Sequence, residues 1–572
     1  MKQTLIYALV IPVMLQFACS LEPSITSAYD PSALRFSGER ARAIEADFVQ
    51  RFPNRSSGRE NNRLAAEWLR NEFTRLGLIC TMDKWQVVNY SKDVPLQNVI
   101  CTLPGESAQE IVLTAHFDQS PLTIQGADND GSGIAILIHL AEIFAAQKPL
   151  AHTLVFLAAD GEEYGMLGAR RYVQTHPDAS RIAAGISLDN LGNSFYNGLD
   201  IDSRGQFRRY GPLWIQRMAQ EVAKAAGDLW IPGIVPLVDQ ILSQAVPISF
   251  VDNGPFIAAG IPALNFGGHV PPEASARYWD LYHSPNDTIE NQSAASLYQA
   301  GRVTEALMRQ LLSMETFPNE SGPYIYLAAK QRVLRGMPLW SLFAALVALF
   351  FVGAVVAGRK EFRKGLKSWR APLLRFLSLW WPLLASIALL YLFVAVGLMD
   401  KYALYPATTK DPAQYTPKWA AVTLWLVGLA VFLWLGRRIA ARTMKVTTVD
   451  SWARIKSLAL LIVGLGAVYL AVINPFSLLF MLPLLFWLLI SGRRGAWKTF
   501  DIIFFLLGGL VVYVLFYFFG YVVLHINLAV LWYLIMMFSV QMVSFPTALA
   551  ITAIIGAGLM MIIKSPRARR PA

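Results

Sequence analysis

Charged residues are scarce in this sequence. Only 16% of its 572 residues are Asp, Glu, Lys or Arg, whereas 55% are hydrophobic and the mean hydropathy is +0.40. So small a charged fraction excludes a purely soluble protein, and 572 residues are too many for one ordinary domain. The sequence therefore predicts at least two parts, one of which lies in a membrane.

Acidic residues are scarcest in the second half. From Pro338 onward there are 5 Asp and Glu against 23 Lys and Arg, a net charge of +18, so the whole-chain charge of +11 leaves −7 for the first 337 residues. The basic excess thus accompanies long apolar runs, where it is typical of cytoplasmic loops rather than of a nucleic-acid-binding surface. We expect membrane lipid, and no nucleic acid, as a partner.

Cysteine is also scarce, with three residues in the chain. Cys19 follows Lys2 and the short apolar run Leu5–Phe17, so residues 1–19 are expected to be a signal peptide or an N-terminal anchor. The residues before Cys19 resemble a lipoprotein cleavage box except at Gln16, which leaves lipidation open. An exported domain permits a disulfide between the remaining pair, Cys80 and Cys101, and two buried free thiols are the alternative.

Apolar strands and helices alternate in the first half, which has no internal repeat. Residues 31–58 are polar and are expected to form a loop. The predicted strands are Ile79–Val88, Asn98–Leu103, Ile111–Phe117, Thr153–Ala159, Gly185–Leu191 and Pro262–Phe266. The predicted helices are Glu60–Leu76, Gly133–Ala146, Gly168–Thr175, Leu213–Ala226 and Ala294–Leu312. This alternation predicts an α/β domain over residues 31–320, with a mixed, mostly parallel sheet covered by helices on both faces.

From Pro338 the pattern changes to long apolar stretches, which predict an all-α transmembrane domain over residues 338–563. We expect about eight spans, most of them near the ~20 residues that a bilayer requires, at 338–357, 372–398, 418–436, 456–473, 475–491, 501–523, 527–541 and 545–563. No row of intramembrane charges indicates a transport path.

Three basic loops predict the orientation of this domain. If the first domain is exported, Arg359–Arg370, Arg437–Lys456 and Arg493–Lys498 all face the cytoplasm, as positive-inside topology requires. The basic tail at 564–572 would then fall outside, and seven spans or a re-entrant segment would remove that conflict. We expect residues 31–320 on the non-cytoplasmic side of a cell membrane, or of an endomembrane if the protein is eukaryotic.

Polar residues cluster where the predicted strands end. His116 and Asp118 end one strand, the loop Gly126–Gly133 follows, Glu162-Glu163 and Asp189 come after two later strands, and His283 lies in a downstream loop. Ligands of open α/β sheets bind beyond the carboxyl ends of the strands, so we expect these residues to converge. The glycine-rich loop lacks the lysine of a Walker motif, and its aspartates would repel a phosphate.

The residue types in this cluster favour zinc. Zinc binds imidazole and carboxylate groups, and a two-zinc site needs one bridging carboxylate and roughly two further ligands per metal. Taken alone, either histidine is more often structural and the paired glutamates are more often solvated. The prediction of a metal site therefore rests on the whole set.

These motifs, in this order, carry a family resemblance. His116-x-Asp118, Gly-Ala-Asp128, Gly-Glu162-Glu163, Asp189 and Tyr-His283 resemble the co-catalytic zinc aminopeptidase and carboxypeptidase family. That family includes bacterial leucyl aminopeptidases, glutamate carboxypeptidase and glutaminyl cyclases, and the resemblance covers residues 35–315. The multi-span second half is similar to the endoplasmic-reticulum metallopeptidase and vacuolar membrane protease branch.

The resemblance implies a membrane-anchored exopeptidase with two zinc ions, most simply an aminopeptidase acting on peptide substrates. It implies that His116 and Asp189 hold one zinc, that Glu163 and His283 hold the other, and that Asp128 bridges them.

The resemblance also implies roles for three further residues. Glu162 would be the general base, Asp118 would hydrogen-bond the far nitrogen of His116, and Tyr282 would donate to the developing oxyanion. Because the peptide bond after the bridging aspartate is often cis in relatives, we expect a cis bond at Asp128–Asn129.

Two other functions remain open. A glutaminyl-cyclase-like enzyme shares much of the ligand set, although the loops Gly126–Gly133 and Glu162–Gly168 favour the peptidases. A catalytically inactive binding module predicts missing ligands, and none of the five is missing. The residue preference, the physiological substrate and the oligomeric state are not predicted.

Overall fold

The computed structural model describes most of the chain. The described residues are 20–21, 30–89, 92–147, 149–203, 205, 209–226, 237–245, 247, 249–320, 322–327, 332–364, 366–399, 418–443, 449–478, 544–563 and eight residues between 481 and 535. These residues form two compact units, and the boundary lies between Gly336 and Met337. The predicted signal segment at 1–19 and the basic tail at 564–572 lie outside the described residues.

A mixed sheet is the centre of the first unit. The described strands are β1 (Ser20–Leu21), β2 (Ile79–Asn89), β3 (Lys92–Leu103), β4 (Ser107–His116), β5 (His152–Ala159), β6 (Ile182–Leu188), β7 (Leu199–Asp202), β8 (Ala263–Gly268), β9 (Tyr324–Leu327) and β10 (Arg332–Arg335). Seven of them form one sheet in the order β2-β3-β5-β4-β6-β8-β7. Strands β5, β4, β6 and β8 are parallel, and β2, β3 and β7 pair antiparallel at the edges. β1, β10 and β9 form a separate antiparallel sheet.

Helices cover both faces of the large sheet. In the first unit they are α1 (Gly38–Arg51), α2 (Glu60–Arg75), α3 (Ser132–Ala145), α4 (Leu167–Thr175), α5 (Leu213–Ala226), α6 (Leu237–Ala245), α7 (Asn253–Ala259), α8 (Ser275–Leu281) and α9 (Ala294–Leu312). Successive residues of β4 enter different cores: Leu113 packs with α1, α2, α3, α5 and α9, whereas Val112 packs with α4 and α7. The central strands are therefore buried on both sides, as a parallel sheet requires. The predicted fold class is confirmed.

Helix α1 lies where the sequence predicted a loop. The hydroxyl of Ser37 caps its first turn by accepting from the Arg40 amide at 3.2 Å. Ala41, Ile44 and Phe48 line its buried face at three- and four-residue spacing. Charged residues between these positions obscure the apolar period, and the helix is stabilised by burial against the core.

A disulfide joins the two antiparallel strands at one edge of the sheet. Cys80 and Cys101 are direct partners in the β2–β3 register, and their sulfur atoms are 2.16 Å apart. Of the two alternatives for this pair of thiols, the structure contains the bonded one.

The second unit consists of apolar helices. They are α10 (Met337–Arg363), α11 (Arg370–Ala395), α12 (Trp419–Thr443), α13 (Val449–Ile473) and α14 (Phe545–Ile563). Among the described residues, three stretches are long and apolar enough to cross a membrane, and Met337–Gly353 and Phe545–Met561 are shorter apolar helices. The five helices coincide with five predicted spans. Predicted span 501–523, about half of 475–491 and most of 527–541 lie outside the described residues, so the total of eight stays a prediction.

Candidate metal centre

The candidate centre lies at the carboxyl ends of the three adjacent parallel strands β5, β4 and β6. His116 is the last residue of β4, Asp189 follows β6 directly, and Glu162 and Glu163 lie just beyond β5. Ligand atoms of His116, Glu162 and Glu163 lie within 4.8 Å of one another, as do those of His116, Asp130 and Asp189. The topology thus gathers residues that are far apart in the sequence.

His116 is held with one ring nitrogen facing the carboxylates. Its Nδ1 is 3.1 Å from the Asp118 carbonyl oxygen and 3.4 Å from Asp118 Oδ1, so the predicted contact with Asp118 is shared between backbone and side chain. Its Nε2 is buried and has no hydrogen-bond partner among the residues that the structure describes; it lies 3.7 Å from Asp189 Oδ1 and 3.9 Å from Glu162 Oε2. A buried nitrogen with no partner is rare, and here it has the orientation of a metal ligand.

The second pair of predicted ligands also meets. His283 Nε2 lies 3.0 Å from Glu163 Oε1. The Tyr282 ring stacks on the His283 ring, with 3.9 Å between their centroids. His283 has a φ of 50°, a left-handed conformation that a non-glycine residue adopts only where its surroundings impose it. The stacking and the backbone together orient this imidazole.

Within the loop Gly126–Gly133, the side chain that reaches the predicted ligands is not the expected one. The carboxylate of Asp128 accepts hydrogen bonds from the amides of Gly192 (2.8 Å) and Asn193 (3.2 Å), the side chain of Asn193 (2.5 Å) and the hydroxyl of Tyr196 (2.5 Å). Four donors fill the acceptor positions of a carboxylate. The side chain that reaches the second ligand pair is that of Asn129, whose Nδ2 lies 2.9 Å from Glu163 Oε1 and 2.8 Å from His283 Nε2.

The cis peptide bond is at Asn129–Asp130, so the expected position Asp128–Asn129 is wrong by one residue. One carboxylate holds the backbone at the expected position, since Asp287 accepts hydrogen bonds from Asp128 N at 2.7 Å and from Asn129 N at 3.2 Å. Asn129 is nearly extended, with φ −113° and ψ 94°. Successive side chains of an extended segment point in different directions, so Asp128 and Asn129 cannot both face the ligands.

Asp118 supports several parts of the centre at once. Its Oδ1 accepts the amide of Glu162 at 3.2 Å, and its Oδ2 accepts the amide of Glu163 at 3.4 Å and the hydroxyl of Ser57 at 3.1 Å. The same carboxylate therefore fixes the His116 ring and both glutamates that follow β5.

Three further buried residues were not predicted. Asp130 accepts the amides of His116 (3.2 Å) and Gly133 (3.0 Å), and Asp287 holds the Asp128–Asn129 backbone. Arg55 donates to the carbonyl oxygens of Phe117 (2.8 Å) and Gly126 (2.7 Å), on either side of the site. Asp130 stands in the loop Gly126–Gly133 already noted, and Asp287 lies four residues after His283, whereas nothing in the local sequence marks Arg55.

The centre has a large excess of buried acid. Burial, reinforced by nearby carboxylates, raises the pKa of Glu162 and of Asp130 well above their usual ranges, and it raises that of Asp252 to about 7. Burial lowers the pKa of His116, but Asp118 and Asp189 outweigh it and raise that pKa overall. A divalent cation would stabilise the charged carboxylates, and the imidazole and carboxylate donors match zinc. The residues present therefore fit a zinc centre.

Residues 98–308 match the model of a known family, described as Peptidase family M28. Aminopeptidase YwaD of Bacillus subtilis is 26% identical over 210 residues, which are 36% of this chain and 42% of the relative. A vacuolar membrane protease of Clavispora lusitaniae is 27% identical over 203 residues, 35% of this chain and 18% of the relative. A probable zinc metalloprotease of Pyrenophora teres f. teres is 44% identical over 111 residues, which are 18% of this chain and 24% of the relative. The chain thus spans less than half the length of these relatives.

Solved structures are similar over about half of this chain. A zinc aminopeptidase from Bacillus subtilis aligns at 15% identity with a TM-score of 0.41, over 50% of this chain and 98% of that chain. A glutaminyl cyclase from Porphyromonas gingivalis aligns at 22% identity with a TM-score of 0.41, over 48% of this chain and 99% of that chain.

Proposed function

We propose that this protein is a membrane-anchored, zinc-dependent exopeptidase that removes N-terminal residues from peptides, in keeping with the match of residues 98–308 to the model of peptidase family M28. The observation that carries the proposal is the position of the buried Nε2 of His116, which has no hydrogen-bond partner in the described part of the chain, among the carboxylates of Glu162, Glu163 and Asp189. The similarity to an aminopeptidase and to a vacuolar membrane protease supports both the activity and the membrane anchor.

Glu162 is the proposed general base. Its side chain is 10% exposed, and its Oε2 lies 3.9 Å from His116 Nε2, at the edge of the ligand cluster. When bound, zinc supplies a water of lowered pKa and polarises the substrate carbonyl. Glu162 takes a proton from the attacking water and then gives it to the amine that leaves when the peptide C–N bond breaks.

Two other side chains assist this reaction in the proposal. Asp118 keeps Glu162 and Glu163 in register with His116 through the amide contacts described above. Tyr282, stacked on His283, donates a hydrogen bond to the oxyanion that develops on the substrate carbonyl.

The activity is tested with the full chain in detergent. We expect hydrolysis of peptides with a free N-terminus, no hydrolysis of N-acetylated peptides, and loss of activity on chelation that added zinc reverses. Release of C-terminal residues instead would exclude an aminopeptidase. Cyclisation of an N-terminal Gln peptide without hydrolysis of others would favour the glutaminyl-cyclase alternative.

The metal centre is proposed to face away from the cytoplasm. The basic segment Arg359–Arg370 includes the end of α10 and the connection to α11, and the bond between Cys80 and Cys101 supports an oxidising compartment. A reporter active only in the cytoplasm should be silent when fused after residue 320 and active when fused after Lys364. The reverse pattern would exclude this orientation.

A further inference from the structure

The side chain of Asn129 lies in the part of the site where the carboxylate of Asp128 was expected. It is 4% exposed, and its Nδ2 touches both members of the second ligand pair, Glu163 and His283. Its Oδ1 is buried and has no hydrogen-bond partner in the described part of the chain. An amide with one end on two ligands and the other end unsatisfied can turn over and offer its oxygen to a cation.

Asp128 has a different task. Its four hydrogen bonds tie the loop after β4 to the segment Gly192–Tyr196 after β6. To bind a metal it would have to leave two backbone amides and two side-chain donors buried without an acceptor, which is costly. Its carboxylate therefore acts as a structural tie.

We propose that Asn129, and not Asp128, supplies the ligand between the two pairs through its amide oxygen, and that the centre in consequence holds its two zinc ions with unequal affinity. The inference deepens the proposed function and rests on it. Glu163 connects the pairs, since it lies within 4.8 Å of His116 and accepts a hydrogen bond from Asn129 at 2.9 Å.

The charges around the two pairs determine which ion is held more tightly. Carboxylates of Asp130, Asp189, Glu162 and Glu163 surround His116. His283 Nε2 lies 3.0 Å from the carboxylate of Glu163 and 2.8 Å from the neutral amide of Asn129, and the charge of Asp287, whose carboxylate accepts two backbone amides, also acts on this imidazole. Metal affinity rises with the negative charge of the ligand set, so the ion beside His116 binds tightly and the ion beside His283 exchanges readily.

Zinc content provides the test. The full chain in detergent is dialysed against a chelator of intermediate affinity, and bound zinc is measured by mass spectrometry and by calorimetric titration of the metal-free protein. We expect the wild type to retain about one zinc per chain, and Asn129→Asp to retain about two, because the added charge tightens the weak site at least tenfold. Asn129→Ala should lose measurable binding of the second ion.

Asp128→Asn is the matched control for an adjacent acid. It should lower the melting temperature but retain the zinc content of the wild type. If it loses zinc at an unchanged melting temperature, Asp128 is the ligand and the inference is overturned. If this variant does not fold, the zinc contents of the two Asn129 variants decide whether Asn129 is the ligand.

Two equally tight ions in the wild type, unchanged in Asn129→Asp, would overturn the inference and leave the proposed function intact. Absence of zinc from the wild type and from Asn129→Asp would overturn both.

Discussion

The two units of this chain treat polar groups in opposite ways. The first unit buries carboxylates together, and several of them accept two or more hydrogen bonds, as Asp118 and Asp128 illustrate. In the described part of the second unit, buried polar contacts are mostly neutral, such as Trp369 Nε1 to Ser457 Oγ at 2.9 Å and Trp380 Nε1 to Thr552 Oγ1 at 3.1 Å. The first unit concentrates charge where it can bind a cation, whereas the described part of the second unit buries few charged groups, Arg375 among them.

The outward-facing side chains show the same difference. The apolar window within Trp419–Ile439 is only 17% buried inside the protein, against 50% for Trp452–Ile473. Leu424, Val427 and Val431 are among the exposed apolar residues of α12. A face so apolar in an aqueous protein would drive aggregation, so this comparison predicts lipid around α12.

The largest expected effect tests the charge in the first unit. Glu162→Gln keeps size and polarity but cannot accept a proton, so turnover should fall by about 10²–10⁴ while zinc content and melting temperature barely change. Glu163→Gln is the matched neighbour, and it should lose zinc and regain part of its activity in excess zinc. If Glu162→Gln loses zinc and Glu163→Gln keeps it, the two roles are exchanged. Full activity in both would mean that the site is elsewhere.

A second prediction concerns Arg55, the buried cation among these acids. It is fully buried, and burial lowers its pKa to about 10 although several carboxylates oppose that shift. Arg55→Met should lower the free energy of unfolding of the first unit by about 3–5 kcal/mol, because carbonyls and carboxylates lose their buried partner. Denaturation followed by tryptophan fluorescence measures this. An effect as small as that of a surface substitution such as Arg59→Met would contradict it.

A third prediction tests the lipid-facing surface. Val427 is 56% exposed on α12, and Val427→Arg should cost about 2.5–3.5 kcal/mol of insertion free energy if this face meets hydrocarbon. The membrane-integrated fraction should fall. Leu64→Arg on α2, an apolar position 36% exposed in the first unit, should change stability by no more than about 0.5 kcal/mol. Equal effects of the two substitutions would remove the distinction between the units.

The smallest effect concerns a charge at the surface of the first unit. Burial raises the pKa of Glu142, but hydrogen bonds from His139 and Arg40 outweigh it and lower that pKa to about 2. A lowered folded-state pKa contributes stability above the unfolded value of 4.5, and this contribution is lost as the pH falls toward 2. Since the group is partly exposed, Glu142→Gln should cost less than about 1 kcal/mol at pH 7. The gap in melting temperature from the wild type should close as the pH approaches 2; a constant gap would contradict this origin.

Much of this architecture was predictable because its causes are local. Apolar runs of the right length mark β4, β5 and β6, whose ends carry His116, the paired glutamates and Asp189. The parallel order of these strands then brings the residues together. Similarly, long apolar stretches alone identify the described helices of the second unit.

Other features were not predictable because distant contacts determine them. Helix α1 is stabilised by packing of Phe48 against the core, and its own apolar pattern is weak. Arg55 bonds to the ends of two segments that are more than 60 residues further along the chain. No periodicity within residues 31–58 contains that information.

The sequence by itself determined the kinds of ligand available, their order along the chain, the alternation of strands and helices, and the division into a charged and an apolar part. Only the tertiary structure decided which of the consecutive residues Asp128, Asn129 and Asp130 faces which partner. In an irregular loop the direction of a side chain follows from its backbone dihedrals. Here the amides of Gly192 and Asn193, the hydroxyl of Tyr196 and the carboxylate of Asp287 constrain those dihedrals from more than 60 residues away.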